Sequence, residues 1–195
     1  MTTLFGRRVM LRPLVPADHL QFREVRLRNG DWLTRWEPSR IPGGPDPIDD
    51  PHAFAVRCGA RDRERQFGSA YAFGVFVEGV FAGEMNLSSV QRGPFQNAYV
   101  GYWIDEAQAG RSYTPEALVV ALRFGFENLA LHRLQISIIP RNHASHRVVE
   151  KLAIRSEGVA QRYLEINGAW EDHVRYAITT EEWVERRDEL AAAWL

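Results

Sequence analysis

The sequence predicts an α/β fold in one domain over residues 1–195, with helices flanking a mixed, mostly antiparallel sheet of about seven strands. Two observations lead to this class. Three strand-like runs follow one another before residue 105, and Glu78-Gly79 between the first two is typical of a hairpin turn. The rest of the chain alternates helix-like and strand-like segments and includes a hairpin around Asn167-Gly168, a dipeptide that favours a type I′ turn.

The first 65 residues are predicted to contain one strand and two helices. Residues 9–14 have the pattern of a strand, and Asp18 is a suitable N-cap for a helix that reaches residue 28. Asp50 and Pro51 have the residue types of an N-cap and a first helical position, which predicts a helix over 51–65.

A long loop, residues 29–51, joins these two helices and contains five prolines. Loops of this length are often binding loops. This one carries Trp32 and Trp36, which we interpret as candidate acceptor-binding residues, with simple core packing as the alternative.

The remaining elements follow from apolar periodicity. Alternation and turn residues predict strands over 71–77, 80–90, 98–104, 134–139, 159–166 and 170–178. Apolar residues at helical spacing predict helices over 115–130, 142–153 and 181–193, the first with Thr114 as N-cap and Pro115 as its first residue.

Composition excludes several classes of function. Lys and Arg number 24 against 25 Asp and Glu, a net charge of −1, which disfavours a nucleic-acid partner. The one cysteine, Cys58, permits neither an internal disulfide nor a Cys-based zinc site. Because the sequence shows neither a signal-peptide pattern nor a run of roughly 20 apolar residues, we predict a cytoplasmic protein without a membrane partner.

The segment from residue 102 to residue 151 carries the chemistry. A loop of small residues around Gly110 joins a predicted strand to a predicted helix start, where backbone N–H groups lack intrahelical partners. Such a start attracts phosphate groups, so the loop predicts a pyrophosphate cradle, although a plain tight turn explains the same residues. Downstream, Asn142 could be only a helix N-cap, and Ser145 only a surface serine.

Taken together, these segments resemble the GCN5-related N-acetyltransferase (GNAT) superfamily, in particular its RimJ/RimL branch. The resemblance covers almost the whole chain and is sharpest in three motifs: Gly101-Tyr102-Trp103-Ile104 with Gly110-Arg111-Ser112-Tyr113-Thr114-Pro115-Glu116-Ala117, Asn142-x-x-Ser145-x-Arg147 with Glu150-Lys151-Leu152, and Asn167-Gly168-x-Trp170-x-Asp172-His173.

The resemblance implies acetyl-CoA as the acyl donor, bound where two neighbouring strands separate. It places the pantetheine arm along the backbone edge of Tyr102, Trp103 and Ile104, with a hydrogen bond from Asn142. The pyrophosphate-binding positions that it implies are Gln108, Ala109, Gly110, Arg111, Ser112 and Tyr113, with Arg147 directed towards the phosphates.

Two residues are candidates for the catalytic groups. Many relatives protonate the leaving sulfur with a tyrosine at the position of Val149, and the resemblance offers Ser145 instead. For the general base we predict Glu84. Strand alternation places it on the face opposite to Phe81 and Met85, where a carboxylate in a cleft can accept a proton. The alternative for Glu84 is a solvated strand residue.

By analogy the acceptor is the N-terminal α-amine of a protein, with ribosomal proteins as the leading class. The alternatives are a small-molecule amine, a non-catalytic acyl-CoA-binding module, and an interaction protein whose tryptophan-bearing loop contacts a partner. His143 and His146 have a spacing that suits a metal, but no third ligand is evident nearby, so no metal is predicted. A homodimer is left open.

Overall fold

A computed structural model describes residues 2–39 and 43–195. In this part of the chain one sheet of eight strands has the order β1-β2-β3-β4-β5-β6-β8-β7. The strands are β1 Leu4–Phe5, β2 Val9–Arg12, β3 Tyr71–Val77, β4 Val80–Gln91, β5 Asn97–Ile104, β6 Arg133–Ile138, β7 Arg155–Ile166 and β8 Ala169–Thr179. All neighbours are antiparallel except β5 and β6, which are parallel.

The predicted α/β class and its antiparallel meander are confirmed, but the count of about seven strands is one too low. The additional strand, β1, has two residues and pairs only with β2. Two residues carry too little alternation to identify a strand from sequence.

Six α-helices flank the sheet in the described residues: α1 His19–Arg28, α2 Gly30–Thr34, α3 Pro51–Phe67, α4 Tyr113–Arg123, α5 His143–Lys151 and α6 Thr180–Trp194. The predicted loop 29–51 therefore contains a short helix, α2, and residues 40–42 of that loop lie outside the described part. The Asp50 side chain accepts a hydrogen bond from the His52 amide, as its N-cap role predicts.

The start of α4 differs from the prediction. The helix begins at Tyr113, and its N-cap is Ser112, whose φ of 65° is left-handed. Thr114 and Pro115 are therefore inside the first turn, where the missing N–H of proline costs no helical hydrogen bond. After Arg123 the chain continues as a π-helical turn, Phe124–Asn128.

Two hydrophobic clusters cover the two faces of the sheet. The larger packs α4 and α6 on one face and includes Met85, Val100 and Ile136. The smaller packs α1 and α3 against the other face, over β2 to β4, and includes Phe22 and Phe54. On this second face the half of the sheet formed by β5 to β8 has no comparable apolar cluster among the described residues.

A β-bulge in β4 corrects one predicted side-chain direction. Val75 pairs with Gly83 and Phe76 pairs with Phe81, so Ala82 is an extra residue in β4. The extra residue places Phe81 on the α1/α3 side, while Met85 lies on the α4 side. The prediction that Phe81 and Met85 share a face is therefore wrong, because simple alternation assumes an uninterrupted strand.

Candidate active site

The parallel strands β5 and β6 separate after a short stretch of pairing. They are in register only from Asn97 with Arg133 to Tyr99 with Gln135. Beyond that point β5 remains paired with β4 as far as Ile104, and β6 remains paired with β8 as far as Ile138. The two strands thus keep their outer partners and leave a wedge-shaped gap, in which the inner backbone edge of β5 is available to a ligand.

The loop that follows β5 presents free backbone donors. The Gln108 and Ala109 amides already donate to the carbonyls of Asp105 and Glu106, so these two amides are not available to a phosphate. The amides of residues 110–114 donate no hydrogen bond within the described residues. Gly110 and Ser112 both have left-handed φ, 78° and 65°, a backbone pattern that forms anion-binding concavities. Of the predicted positions 108–113, the amides of residues 110–113 are therefore free, together with the amide of residue 114, and their binding of a pyrophosphate stays a prediction.

Three side chains that we did not predict brace this loop. The Arg8 guanidinium donates to the Arg111 carbonyl at 3.2 Å, and its Nε donates to the Glu116 carboxylate at 2.8 Å. From α5, the Lys151 Nζ donates to the Ser112 hydroxyl at 2.7 Å. A basic residue in the last turn of α5 was visible in the sequence, but only the fold brings Lys151 to the loop.

The N-terminus of α5 closes the other side of the gap. The Asn142 side-chain oxygen accepts from the Ser145 amide at 3.2 Å, so Asn142 is the N-cap and its amide nitrogen is left for a ligand. The Tyr102 hydroxyl reaches from β5 and donates to the Ser145 carbonyl at 3.3 Å. Burial raises the pKa of Tyr102, which therefore remains protonated at neutral pH. The Ser145 hydroxyl makes no hydrogen bond in the described residues, and the side chain is half-buried beside the gap.

Asp105 fixes the end of β5 to α1. Its carboxylate is buried, accepts from Asn29 Nδ2 at 2.8 Å and forms an ion pair with Arg28. Burial alone would raise the pKa of Asp105, but the hydrogen bonds from Arg28 and Asn29 outweigh it and hold the pKa below its usual value. Trp32 lies next to Asp105, and its indole N–H donates to the Ile104 carbonyl at 3.2 Å.

Glu84 is buried and fully engaged. Arg57 Nη2 donates to both carboxylate oxygens, at 2.7 and 2.9 Å, and the Trp103 indole N–H donates at 3.0 Å. The Trp103 side chain thus points away from the gap, although its backbone lies on the β5 edge. Arg57 and Trp103 already donate to the carboxylate, and the role of Glu84 as general base stays a prediction.

Trp36 lies at the far rim of the gap, where the loop after α2 meets the β7–β8 hairpin. Arg141 lies over its ring at 5.7 Å, and the Asn167 amide donates to the carbonyl of the next residue, Glu37, at 2.9 Å. The two predicted tryptophans are thus separated: Trp32 contacts the end of β5 and Trp36 contacts the hairpin side.

Two further residues of α5 were considered from the sequence, His146 for a metal and Arg147 for the phosphates. The His146 ring is held by the Tyr176 hydroxyl and the Ile139 carbonyl, which leaves no ring nitrogen for a metal shared with His143. No group of three His, Cys, Asp or Glu side chains suited to a metal occurs among residues 2–39 and 43–195. Arg147 is exposed and makes no ion pair within that same part, so it is available to a phosphate.

Comparison with known proteins agrees with this geometry. Residues 8–155 match the family model described as acetyltransferase (GNAT) domain. The chain belongs to the GNAT acetyltransferase family. It is 32% identical to the [ribosomal protein uS5]-alanine N-acetyltransferase of Escherichia coli over 186 residues, which cover 92% of each chain.

Solved GNAT structures have the same fold along nearly the whole chain. The Mycobacterium smegmatis RimJ in complex with CoA-disulfide superposes with a TM-score of 0.90 at 29% identity, covering 98% of this chain and 94% of that one. The ribosomal-protein-S5-alanine acetyltransferase of Vibrio fischeri superposes with a TM-score of 0.83 at 28% identity, covering 94% and 99%.

The protein is accordingly an N-acetyltransferase, and as a GNAT enzyme it uses acetyl-CoA. The residues present fit this group, because the free amides of residues 110–114 suit a pyrophosphate and the open β5 edge suits an extended pantetheine arm. None of the helices in the described ranges is both long and apolar enough for a membrane crossing.

Proposed function

We propose that this GNAT enzyme acetylates the N-terminal α-amine of a protein, with a ribosomal protein as the leading class of acceptor. The proposal rests on one observation: the sheet face opposite α4 and α5 carries buried polar atoms without hydrogen-bond partners. On β5, β6 and β8 this face is formed by Tyr99, Gly101, Ser137 and Arg175, and β4 adds Asn86. We call this surface the acceptor face.

The acceptor face carries several buried polar atoms that have no hydrogen-bond partner among the described residues. Five buried side-chain polar atoms of the described residues have no hydrogen-bond partner. Two of them belong to Asn86 and Arg175, and a third, on Ser137, lies close to the Tyr163 side chain. A fourth, on Asn97, lies at the start of β5 on the same side. Buried polar groups are normally satisfied, so their concentration on one face indicates a place where a polar ligand or water binds.

The shape of the acceptor face suits an extended peptide. Gly101 is exposed, and a Cβ placed on it would meet no atom within 4 Å. The face also borders the gap between β5 and β6, so an amine that crosses it meets the acetyl group held on the β5 edge. Similarity to the uS5-alanine enzymes over the whole chain supports a protein N-terminus as the occupant, and such an acceptor would place the enzyme in the cytoplasm.

Acetyl-CoA supplies an activated thioester, and the chain's own groups would then act on the two reactants in three ways. The β5 edge can polarise its carbonyl through a fixed backbone N–H, and the two bound reactants gain from proximity. The α-amine must lose a proton, for which Glu84, through a water, remains the predicted acceptor.

The protein-acceptor proposal is tested with synthetic peptides and mass spectrometry. The expected result is acetylation of a peptide with a free N-terminal Ala, and none of the same peptide with a blocked N-terminus and an internal Lys. Gly101→Leu should lower kcat/KM for the peptide at least tenfold by filling the acceptor face, with the affinity for acetyl-CoA retained. Equal reaction of polyamines or the blocked peptide would favour the small-amine alternative.

Ser145 is proposed to donate a hydrogen bond to the leaving sulfur. Its hydroxyl is unengaged and half-buried beside the gap, next to the contact between Tyr102 and the α5 backbone. Ser145→Ala should lower kcat about tenfold or more, since a hydrogen bond to a charged group contributes roughly 1.5–3 kcal/mol. The melting temperature should not change, and an unchanged kcat would remove Ser145 from the mechanism.

A further inference from the structure

Arg175 is the one charged side chain that defines the acceptor face, and its bonding is incomplete. It is half-buried on β8. Its Nη2 donates to the neutral side-chain oxygen of Gln135, while its Nε is buried with no acceptor. The guanidinium lies over two aromatic rings, 4.8 Å from the centre of Tyr163 and 6.0 Å from the centre of Tyr99.

Arg175 differs from most other half-buried arginines in lacking an ion pair with a carboxylate. Two of them, Arg123 and Arg186, donate to backbone carbonyls. Arg175 forms no ion pair within residues 2–39 and 43–195. The remaining half-buried arginines all form ion pairs with carboxylates: Arg12 with Asp18, Arg26 with Glu37, Arg57 with Glu84, Arg61 with Glu64, Arg65 with Asp62 and Arg133 with Glu157.

The surroundings do not supply the missing anion. The carboxylates nearest in sequence are already bound, because Glu171 pairs with Arg141 and Asp172 accepts from the Arg162 amide. A half-buried cation without an anion loses hydration that no ion pair replaces. A carboxylate delivered by the acceptor would satisfy it, and the planar guanidinium suits a carboxylate in two parallel hydrogen bonds.

The position of Arg175 defines which part of an acceptor it meets. Arg175 pairs with Ser137 of β6, two residues past the point where β5 and β6 separate. Neighbouring strands lie about 4.8 Å apart, and an extended peptide advances about 3.3 Å per residue. If the α-amine enters the gap, Arg175 therefore lies near the second and third residues of the peptide.

We propose that Arg175 is an acceptor-specificity residue that binds the carboxylate of an Asp or Glu at position 2 or 3 of the acetylated N-terminus. The inference rests on the proposed function, since it requires a peptide on the acceptor face. It deepens that proposal by assigning a chemical class, an acidic N-terminal segment, to the acceptor.

The test compares Ala-initiated peptides that carry Asp, Asn or Lys at position 2 or at position 3, with kcat/KM as the readout. For the wild-type enzyme we expect kcat/KM to be about tenfold higher for the Asp peptide than for the Asn peptide at one of these positions, because the carboxylate gains a charge-assisted pair. Arg175→Gln should bring the Asp-to-Asn ratio close to one, and Arg175→Glu should favour Lys over Asp.

A matched control is Arg123→Gln. Arg123 is also half-buried, but it lies on α4 and donates to the Phe5 carbonyl, so its replacement should keep the Asp-to-Asn ratio of the wild type. Because the ratio compares two peptides on one enzyme, a general loss of activity does not alter it.

Two results would overturn the inference while the proposed function stands. One is equal reaction of the wild-type enzyme with Asp and Asn peptides at both positions. The other is a preference for Asp that survives in Arg175→Gln. If no peptide with a free N-terminus reacts at all, the proposed function fails and this inference fails with it.

Discussion

Replacing Glu116 with leucine should lower the free energy of unfolding by about 2–6 kcal/mol, because two backbone amides lose their acceptor at a cost of about 1–3 kcal/mol each. Glu116 is 1% exposed in the first turn of α4. Its carboxylate accepts from the backbone amides of Arg8 and Val9 and forms an ion pair with the Arg8 side chain. Leucine would leave both amides without an acceptor, and burying an unpaired polar group is costly.

Urea unfolding followed by tryptophan fluorescence measures this change. The matched control is Glu189→Ala, which removes an exposed carboxylate from another helix and should change the free energy by less than about 0.5 kcal/mol. The Glu116→Leu enzyme should also bind acetyl-CoA more weakly, because Arg8 holds the Arg111 carbonyl of the predicted phosphate loop, residues 108–114. A stability loss below about 1 kcal/mol would show that solvent replaces the carboxylate at these amides.

Replacing Gly110 with valine should raise the dissociation constant for acetyl-CoA at least tenfold, because it perturbs several charge-assisted amide contacts at once. Gly110 has a φ of 78°, a region that a β-branched side chain strongly disfavours. Relief of that strain would rotate the adjacent peptide planes and turn the free amides of the loop away from the pyrophosphate. Calorimetric titration with acetyl-CoA measures the constant directly.

Gly93→Val is the matched control for this prediction. Gly93 also has a left-handed φ, 69°, and open space around it, but it lies in the turn before β5, at the opposite end of that strand from the phosphate loop. Both variants should lose stability through backbone strain, and only Gly110→Val should lose the rise in melting temperature that acetyl-CoA produces in the wild type. Wild-type affinity in Gly110→Val would place the pyrophosphate elsewhere.

Both predictions concern the same structural unit, the phosphate loop and its supports. The loop itself contributes backbone amides and left-handed residues, and its position depends on Arg8 from β2 and Lys151 from α5. A binding site that depends on backbone amides needs such supports, since only a fixed loop keeps its donors oriented before the ligand arrives.

The sequence alone was sufficient for those features that depend on near neighbours along the chain. Hairpin turns, strand alternation and helix caps are local, so the order of the longer elements, without β1 and α2, and the N-cap role of Asn142 follow from short sequence patterns. The loop around Gly110 is local too, which is why four of its five free amides, those of residues 110–113, fall within the predicted range 108–113.

The tertiary structure alone decided which distant groups complete the site. Glu116 and Arg8 are 108 positions apart, and Glu84 and Arg57 are 27 apart. No local pattern encodes such pairs, because they form only when strands and helices pack. The same holds for the bulge that redirects Phe81 and for the open face that leaves Arg175 without a carboxylate. Local propensity sets the elements, whereas the contacts that bind, polarise and select arise from packing between elements far apart in the chain.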